Sequence, residues 1–355
     1  MKVEILSPSR TVMSNPRSRH NYFAWPTVTR LRNGRLMLGA SGFRLRHVCP
    51  FGKAAVAFSD DEGKNWTLPM IVIDTPLDDR DVGLCPFGES GLIVTSFTNT
   101  REMQRSRLKP EDDNEYIEAY LKKITDEDEE NYLGYTYRIS FDNGLTYGPV
   151  MRGPVTSPHG PIELRDGSIL WVGRKVDDDT KDTSIQVYKI FTDGKTPEYL
   201  STIEPCREGI IDCEPHMVQL PNGRLVCHIR SDRKDPKVFT LHQSVSDDLG
   251  KTWTKPKQIL GETGGAPAHL LLTSDGKVVC SYAKRTSPQK IYVMVSEDGC
   301  ETWEQDLEVA SGPNWDLGYA STVELKDGSF LTIYYAHDEI EGPAVIKQVV
   351  WRLVK

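Results

Sequence analysis

Long apolar runs are missing from this chain, and no stretch approaches the length that would cross a bilayer as a helix. A basic excess is missing too. The 43 Lys and Arg are outnumbered by 51 Asp and Glu, giving a net charge of −8, so neither nucleic acid nor an anionic membrane is an expected partner. The seven cysteines are odd in number and never in CxxC spacing, which points to free thiols in place of a disulfide framework. Most lie in or beside predicted strands, where a free thiol packs as a small hydrophobe. The first residues, MKVEILSPSR, lack the apolar segment of a secretory signal. A reduced, cytoplasmic protein is the expectation, or a secreted or periplasmic one if a leader has been removed. No metal-ligand spacing stands out, since His159, His216, His228 and His269 are scattered over separate parts of the chain, and no cofactor is called for.

What the chain has is a repeat. Residues 212–232, DCEPHMVQLPNGRLVCHIRSD, read as a carboxylate (Glu214), a short strand, a Pro-Asn-Gly turn and a second strand reaching Arg230. Asn-Gly between two alternating apolar runs is a strong hairpin signal, because Gly tolerates the positive φ of a tight turn. Residues that enter and leave a hairpin lie at the end opposite its turn, so Glu214 and Arg230 are expected side by side. Similar units turn at Asn33-Gly34, Asp166-Gly167, Asp275-Gly276 and Asp327-Gly328, with a weaker copy over 81–96. About six copies at a spacing of roughly 50–60 residues indicate radial repetition, and short strands with Gly and Asn/Asp turns favour propeller blades. The continuous repeat predicts one domain over residues 1–355.

A second element follows the hairpins. SDDEGKNW (59–66), SFDNGLTY (140–147), SDDLGKTW (246–253) and SEDGCETW (296–303) share a Ser, an Asp and a closing aromatic at fixed spacing, and FTDGKT (191–196) is a reduced fifth copy. In each, the Asp is placed to accept backbone N–H groups while a left-handed residue turns the chain and the aromatic tucks beneath. As metal loops they offer too few ligands at the wrong spacing.

One segment breaks the period. Residues 101–133 are charged, with Tyr116, Ile117, Tyr120, Leu121 and Ile124 at helical spacing after an Asp113/Asn114 cap. A helical insertion in the second unit is predicted, lying on the propeller or serving as a lid or as a contact in a homo-oligomer. The strand-like segment 344–353 ends the sixth unit, and residues 2–6 are placed to complete it, removing the edges an open ring would leave.

If all hairpin turns point to one face, the flanking residues meet on the other. Entering are Trp25, Arg80 with Asp81, His159, Glu214, His269, and Asp316 with Tyr319. Leaving are Arg44, Arg46 and His47, then Arg174, Arg230, Lys284 with Arg285, and Tyr335 with His337. A well crowded with Arg, His and a few carboxylates suits an acidic ligand, because guanidinium forks match carboxylates.

The Asp boxes and preceding hairpins together resemble the sialidase (BNR-repeat) superfamily, over essentially the whole chain. The resemblance implies an all-β, six-bladed propeller and a carbohydrate partner, an acidic sugar or glycan. It implies Tyr319 as nucleophile, Glu214 as its base, and Arg230, Arg174 and Arg285 as an anion clamp. Arg80, Arg44, His159, His269, Trp25 and Asp316 join them as candidate substrate contacts. A phenol suits a substrate whose anomeric carbon bears a carboxylate, because it avoids charge repulsion. Two departures stand out. Trp25 occupies the place of the family's first Arg, and residues 39–58 hold no Asp or Glu where the family has its acid/base Asp. Asp81 and His47 are the candidate replacements, although Arg80 beside Asp81 is expected to lower its pKa. Three functions remain open: an exo-glycosidase of sialidase type, a polysaccharide lyase on uronate-containing glycans, and a carbohydrate-binding propeller without catalysis.

Overall fold

Six four-stranded antiparallel sheets make up the computed structural model, arranged as the blades of a propeller. It describes all residues except 111–112, 177–182, 207–208, 235–236 and 262–266. The chain opens with β1 (Lys2–Met13), which belongs to the last blade. Blade 1 is β2 (Tyr22–Arg30), β3 (Leu36–Arg44), β4 (Lys53–Ser59) and β5 (Met70–Ile73). Blade 2 is β6 (Arg80–Phe87), β7 (Gly91–Phe97), β8 (Tyr135–Ser140) and β9 (Met151–Arg152), interrupted after β7 by α1 (Arg101–Ser106), α2 (Asn114–Leu121) and α3 (Asp126–Tyr132). Blade 3 is β10 (Ile162–Glu163), β11 (Ile169–Val176), β12 (Thr183–Ile190) and β13 (Glu198–Ile203). Blade 4 is β14 (Ile210–Gln219), β15 (Leu225–Lys234), β16 (Lys237–Ser246) and β17 (Lys257–Leu260). Blade 5 is β18 (His269–Leu272), β19 (Val278–Lys284), β20 (Lys290–Ser296) and β21 (Glu304–Ser311). Its lead-in, residues 262–266, lies outside the described residues. Blade 6 is β22 (Gly318–Glu324), β23 (Phe330–His337) and β24 (Ala344–Val354). There β1 pairs antiparallel with β24 from Lys2↔Val354 to Met13↔Ile346, a longer closing strand than residues 2–6 suggested.

The predicted hairpins are the inner two strands of the blades, and the Asp boxes join the outer ones. In the box at Asp142, the carboxylate accepts N–H groups of Leu145 and Thr146 at 3.0 and 2.9 Å and the Thr146 hydroxyl. Such hydrogen bonds pull Asp61, Asp142, Asp248 and Asp298 down to about 2, as expected of carboxylates acting as local staples. The residue before the box glycine is also left-handed: Glu62, Asn143 and Leu249 have φ of 59, 57 and 60°. The reduced copy keeps the turn, with the Lys195 N–H 3.3 Å from Asp193 Oδ1.

The core consists of apolar clusters between and within blades. One runs from blade 1 to blade 6 through Leu36, Leu38, Leu331 and Ile333, and another joins blades 5 and 6 through Val279, Ile291, Tyr334 and Trp351. All the described cysteines are free, and six of the seven are buried. Blades 2 and 3 touch backbone to backbone, since a side chain at Gly83 would lie 2.4 Å from the Gly160 nitrogen.

The insertion is helical, as predicted, and it is a buttress. The Asp113 side chain caps α2 by accepting from the Tyr116 N–H. Ile117, Leu121 and Ile124 pack on Cys49, Phe51 and Leu77, so the helices lean on the loop between β3 and β4. Among the described residues, no helix is long and apolar enough to cross a membrane.

Candidate active site

Four inner strands carry the same backbone irregularity at the rim opposite the turns. Trp25, Asp81, Glu214 and Tyr319 are non-glycine residues with φ of 56, 41, 49 and 50°. Each sits where its strand slips register against its neighbour. A bulge of this kind re-aims a side chain, and left-handed backbone at a bulky residue costs about 1–3 kcal/mol unless its surroundings enforce it. Four repetitions, from blades 1, 2, 4 and 6, direct an indole, two carboxyls and a phenol toward one well. Trp25, Glu214 and Tyr319 each stand nine positions before a turn glycine (Gly34, Gly223, Gly328), an offset legible in the sequence.

The centre of the well is a three-residue relay. The Tyr319 hydroxyl donates to Glu214 Oε1 at 2.7 Å, and Arg230 Nη1 donates to Glu214 Oε2 at 2.6 Å. Arg230 also forks onto Asp232 through Nε and Nη2, both at 3.1 Å, leaving one hydrogen on each terminal nitrogen. Burial pushes the Glu214 carboxyl up, but the Arg230 charge and the hydrogen bonds from Tyr319 and Arg230 outweigh it. The net shift is below the usual carboxylate range. Burial, then the Glu214 and Asp81 carboxylates, raise the Tyr319 phenol well above its ordinary value. The resting relay is therefore a neutral phenol hydrogen-bonded to a carboxylate.

Asp81 departs from expectation. Arg80 and Arg174 do lower it, but burial and the nearby Glu214 charge raise it more, to about 7. Its side chain makes no hydrogen bond among the described residues, so it is a carboxylic acid available to donate near neutral pH.

A second network centres on Asp316, which receives Tyr22 Oη at 2.8 Å and Tyr335 Oη at 3.0 Å. His47 Nδ1 lies at 3.0 Å and His337 Nε2 at 3.1 Å. Asp316 is thus a structural hub, and its carboxylate is held far below its ordinary pKa by these partners against the effect of burial. The arrangement fixes His47 by Nδ1 and leaves its Nε2 without a partner among the described residues. Burial lowers the His47 pKa more than Asp316 raises it. Arg285 closes the wall, donating from Nε to the Leu317 carbonyl and from Nη2 to Tyr335 Oη, both at 2.8 Å.

The cations differ in what they can bind. Arg44, expected as a substrate contact, is fully buried and locked on Asp78 at 2.5 and 3.0 Å, so it holds the loop and does not face a ligand. Arg80 shares Asp78 and donates to the His47 carbonyl. Gln104 of α1 donates to Asp78 at 2.9 Å, tying the insertion to this network. Trp25 is only 1% exposed, with Arg80 and Arg44 guanidinium carbons 3.9 and 4.8 Å from its ring centre. It is the floor beneath the well, covered and not open to a ligand. Arg174 and Arg285 are the cations of the well that no carboxylate pairs among the described residues.

His159 and His269, also expected at the rim, lie deeper. With His216 they line a central cavity of about 500 Å³ that reaches the turn face. Their rings are 4.6–5.5 Å apart, a convergence the sequence spacing did not reveal. The Leu270 N–H donates to His216 Nδ1 and the Thr322 N–H to His269 Nδ1, stitching neighbouring blades. Burial lowers all three pKa values, and the rings are neutral struts. No metal-holding group of three or more His, Cys, Asp or Glu occurs among the described residues.

Comparison with known proteins bears on the Asp-box blades. The family model for a BNR repeat-like domain matches residues 135–333, more than half of the chain. The chain belongs to the BNR repeat-like family. No functionally curated protein matches the sequence. Among solved structures, this BNR repeat-like propeller is similar to a protein of unknown function from Dyadobacter fermentans, at 20% identity and a TM-score of 0.78, covering 99% of both chains. It is similar to the NanB sialidase of Streptococcus pneumoniae at 13% identity and a TM-score of 0.70, covering 98% of this chain and 71% of that one. The intramolecular trans-sialidase of Ruminococcus gnavus aligns at 14% identity and a TM-score of 0.62, covering 95% of each. The fold is the sialidase-type propeller.

Proposed function

We propose that this BNR repeat-like propeller is a glycoside hydrolase of sialidase type acting on a terminal acidic sugar. The observation that carries this reading is the 2.7 Å hydrogen bond from the Tyr319 hydroxyl to a carboxylate whose other oxygen is held by Arg230. The substrate carboxylate is taken by Arg285 and Arg174, with the free hydrogens of Arg230 beside them. Tyr319 Oη then forms a bond to the anomeric carbon as its proton passes to Glu214, and the bond to the leaving oxygen breaks. Asp81, kept protonated near neutral pH, donates the proton to the leaving oxygen and afterwards takes one from the water that releases the sugar. His47, the other candidate at this wall, donates Nδ1–H to Asp316 and has a lowered pKa, so its free Nε2 is an acceptor near neutral pH and suits a base better than a proton donor. A neutral phenol approaches an anionic sugar without the repulsion a carboxylate nucleophile would meet.

The test is Tyr319→Phe, which removes one oxygen from a side chain that is 6% exposed. Turnover of an acidic glycoside should fall by at least about a thousandfold with the melting temperature little changed. Undiminished hydrolysis would sink the mechanism. A product carrying a new carbon–carbon double bond, seen by ultraviolet absorbance, would instead indicate elimination from a uronate. Saturable binding with no turnover across a panel of acidic glycans would indicate a binding propeller.

A further inference from the structure

The axial cavity is walled by side chains that the well does not use. His159, His216 and His269 reach it from blades 3, 4 and 5 and are 1, 5 and 7% exposed. His216 and His269 each stand seven positions before a turn glycine, as do Thr27 of blade 1 and Ser321 of blade 6. A polar girdle therefore runs round the axis, two residues past Trp25, Glu214 and Tyr319 on the same strands. The His216 and His269 rings stack, 4.6 Å apart and 15° from parallel, and His159 stands edge-on to both. Backbone amides fix the tautomers of the stacked pair. The Leu270 N–H donates to His216 Nδ1 at 3.0 Å and the Thr322 N–H to His269 Nδ1 at 3.3 Å, so each neutral ring carries its hydrogen on Nε2. Neither Nε2–H has an acceptor among the described residues. His159 adds a third open atom. Its Nδ1 lies 2.9 Å from the Thr27 hydroxyl, and its Nε2 is buried without a partner among the described residues. Polar atoms left open at this depth call for something to fill the space between them.

We propose that this cavity is a second binding site, entered from the turn face, for a small organic carboxylate. The carboxylate oxygens accept the Nε2–H groups of His216 and His269, and His159 Nε2 is left for a further polar group of the ligand. Val28, Leu84 and Leu270 wall the cavity with hydrocarbon, which excludes water and strengthens those bonds. The approach is cationic. Arg30, Arg32 and Arg165 line the turn-face end against a single carboxylate, Glu163. Arg30 is forked onto Glu62 and Arg32 is paired with Glu163. The Arg165 guanidinium has only the Pro221 carbonyl among the described residues, at 2.9 Å from Nη1, so one cation at the entrance is uncompensated. It favours an anion over a neutral acceptor. A metal ion does not fit the stacked pair, because amide hydrogens already occupy the Nδ1 lone pairs and both Nε2 atoms bear hydrogen. The volume of about 500 Å³ leaves room for more of the ligand than its carboxylate. This site is separate from the well and stands whether or not the well hydrolyses a glycoside.

Ring nitrogen–proton NMR of the full chain, labelled at histidine, reads the cavity directly. The His216 and His269 signals, assigned through His216→Gln and His269→Gln, should shift in a saturable way with acetate and stay still with acetamide, its neutral isostere. Calorimetry with the same two probes gives a second readout. His269→Phe should weaken acetate binding about tenfold, and Arg165→Gln, a surface change that leaves the girdle intact, about threefold. Arg285→Gln alters the well and should leave acetate binding in the cavity unchanged. No response to acetate, or an equal response to acetamide, would overturn the proposal. So would a response lost in Arg285→Gln and kept in Arg165→Gln, which would put the anion in the well. Inorganic phosphate binding where acetate does not would replace the carboxylate assignment, and zinc displacing the Nε2 hydrogens would make the cavity a metal site instead.

Discussion

Glu214 holds Tyr319 with one carboxylate oxygen and Arg230 with the other, at 2.7 and 2.6 Å. The three residues come from two blades, Glu214 and Arg230 from blade 4 and Tyr319 from blade 6. Glu214→Gln keeps the shape and removes the base. On an acidic glycoside it should lower kcat by roughly 10²–10⁴-fold, with a smaller loss on the fluoride of the same sugar. Stability should change little, because Asp232 still pairs with Arg230. A kcat within a few-fold of wild type would show that Tyr319 does not need this carboxylate.

The raised Asp81 pKa predicts opposite effects of Asp81→Asn on stability and activity. A carboxyl near 3.8 unfolded and about 7 folded binds more protons in the folded state between those values. Its contribution to stability therefore falls as pH rises from about 4 to 7. Asp81→Asn should melt higher than wild type at pH 8 and show no such advantage near pH 4. The alkaline limb of kcat/KM, expected near pH 7, should disappear in this variant along with most activity. If the limb stays in Asp81→Asn, the proton donor is another group.

Asp78 is fully buried and shared by Arg44, Arg80 and Gln104. Removing it leaves two guanidiniums without their common counter-charge, and breaking such a buried pair costs about 3–5 kcal/mol. Asp78→Ala should melt far below wild type. Gln104→Ala removes a single hydrogen bond to a charged group, costing about 1.5–3 kcal/mol, and should loosen the insertion first. Hydrogen exchange in α1 and α2 would show whether protection is lost there before the blades.

Leu249 is 42% exposed and held at φ 60°, the place taken in another Asp box by Asn143 at φ 57°. Asn tolerates left-handed backbone far better than a residue with a branched apolar side chain. Leu249→Asn should therefore stabilise the protein by about 0.5–1 kcal/mol, read as a small rise in melting temperature. A fall would mean that the Leu249 side chain makes a contact worth more than the strain.

The architecture was legible in the sequence because it repeats. Turn glycines and box aspartates recur at intervals, and a pattern seen several times outweighs any local ambiguity. Glu214 beside Arg230 followed from hairpin geometry alone, since strand entry and exit share an end. What escaped was depth. Arg44 and Arg230 leave similar strands, yet one is sealed on Asp78 and the other faces the well, and that depends on a carboxylate more than 30 residues away in the case of Arg44. The histidines of blades 3, 4 and 5 looked unrelated because their meeting point exists only when the ring is complete. Burial, invisible in sequence, also reversed the direction of the Asp81 shift.

Strand β1 lies on β24, so a segment from the front of the sequence finishes a sheet whose other three strands come from the back. Until that seam shuts, blade 6 has an open edge and Tyr319 has no fixed distance from Trp25 in blade 1 or Glu214 in blade 4. The meeting of Glu214, Arg230 and Tyr319 is then a property of the circle and of no arc within it: a chain halted or cut before residue 344 would own all three residues and still lack the place where they come together.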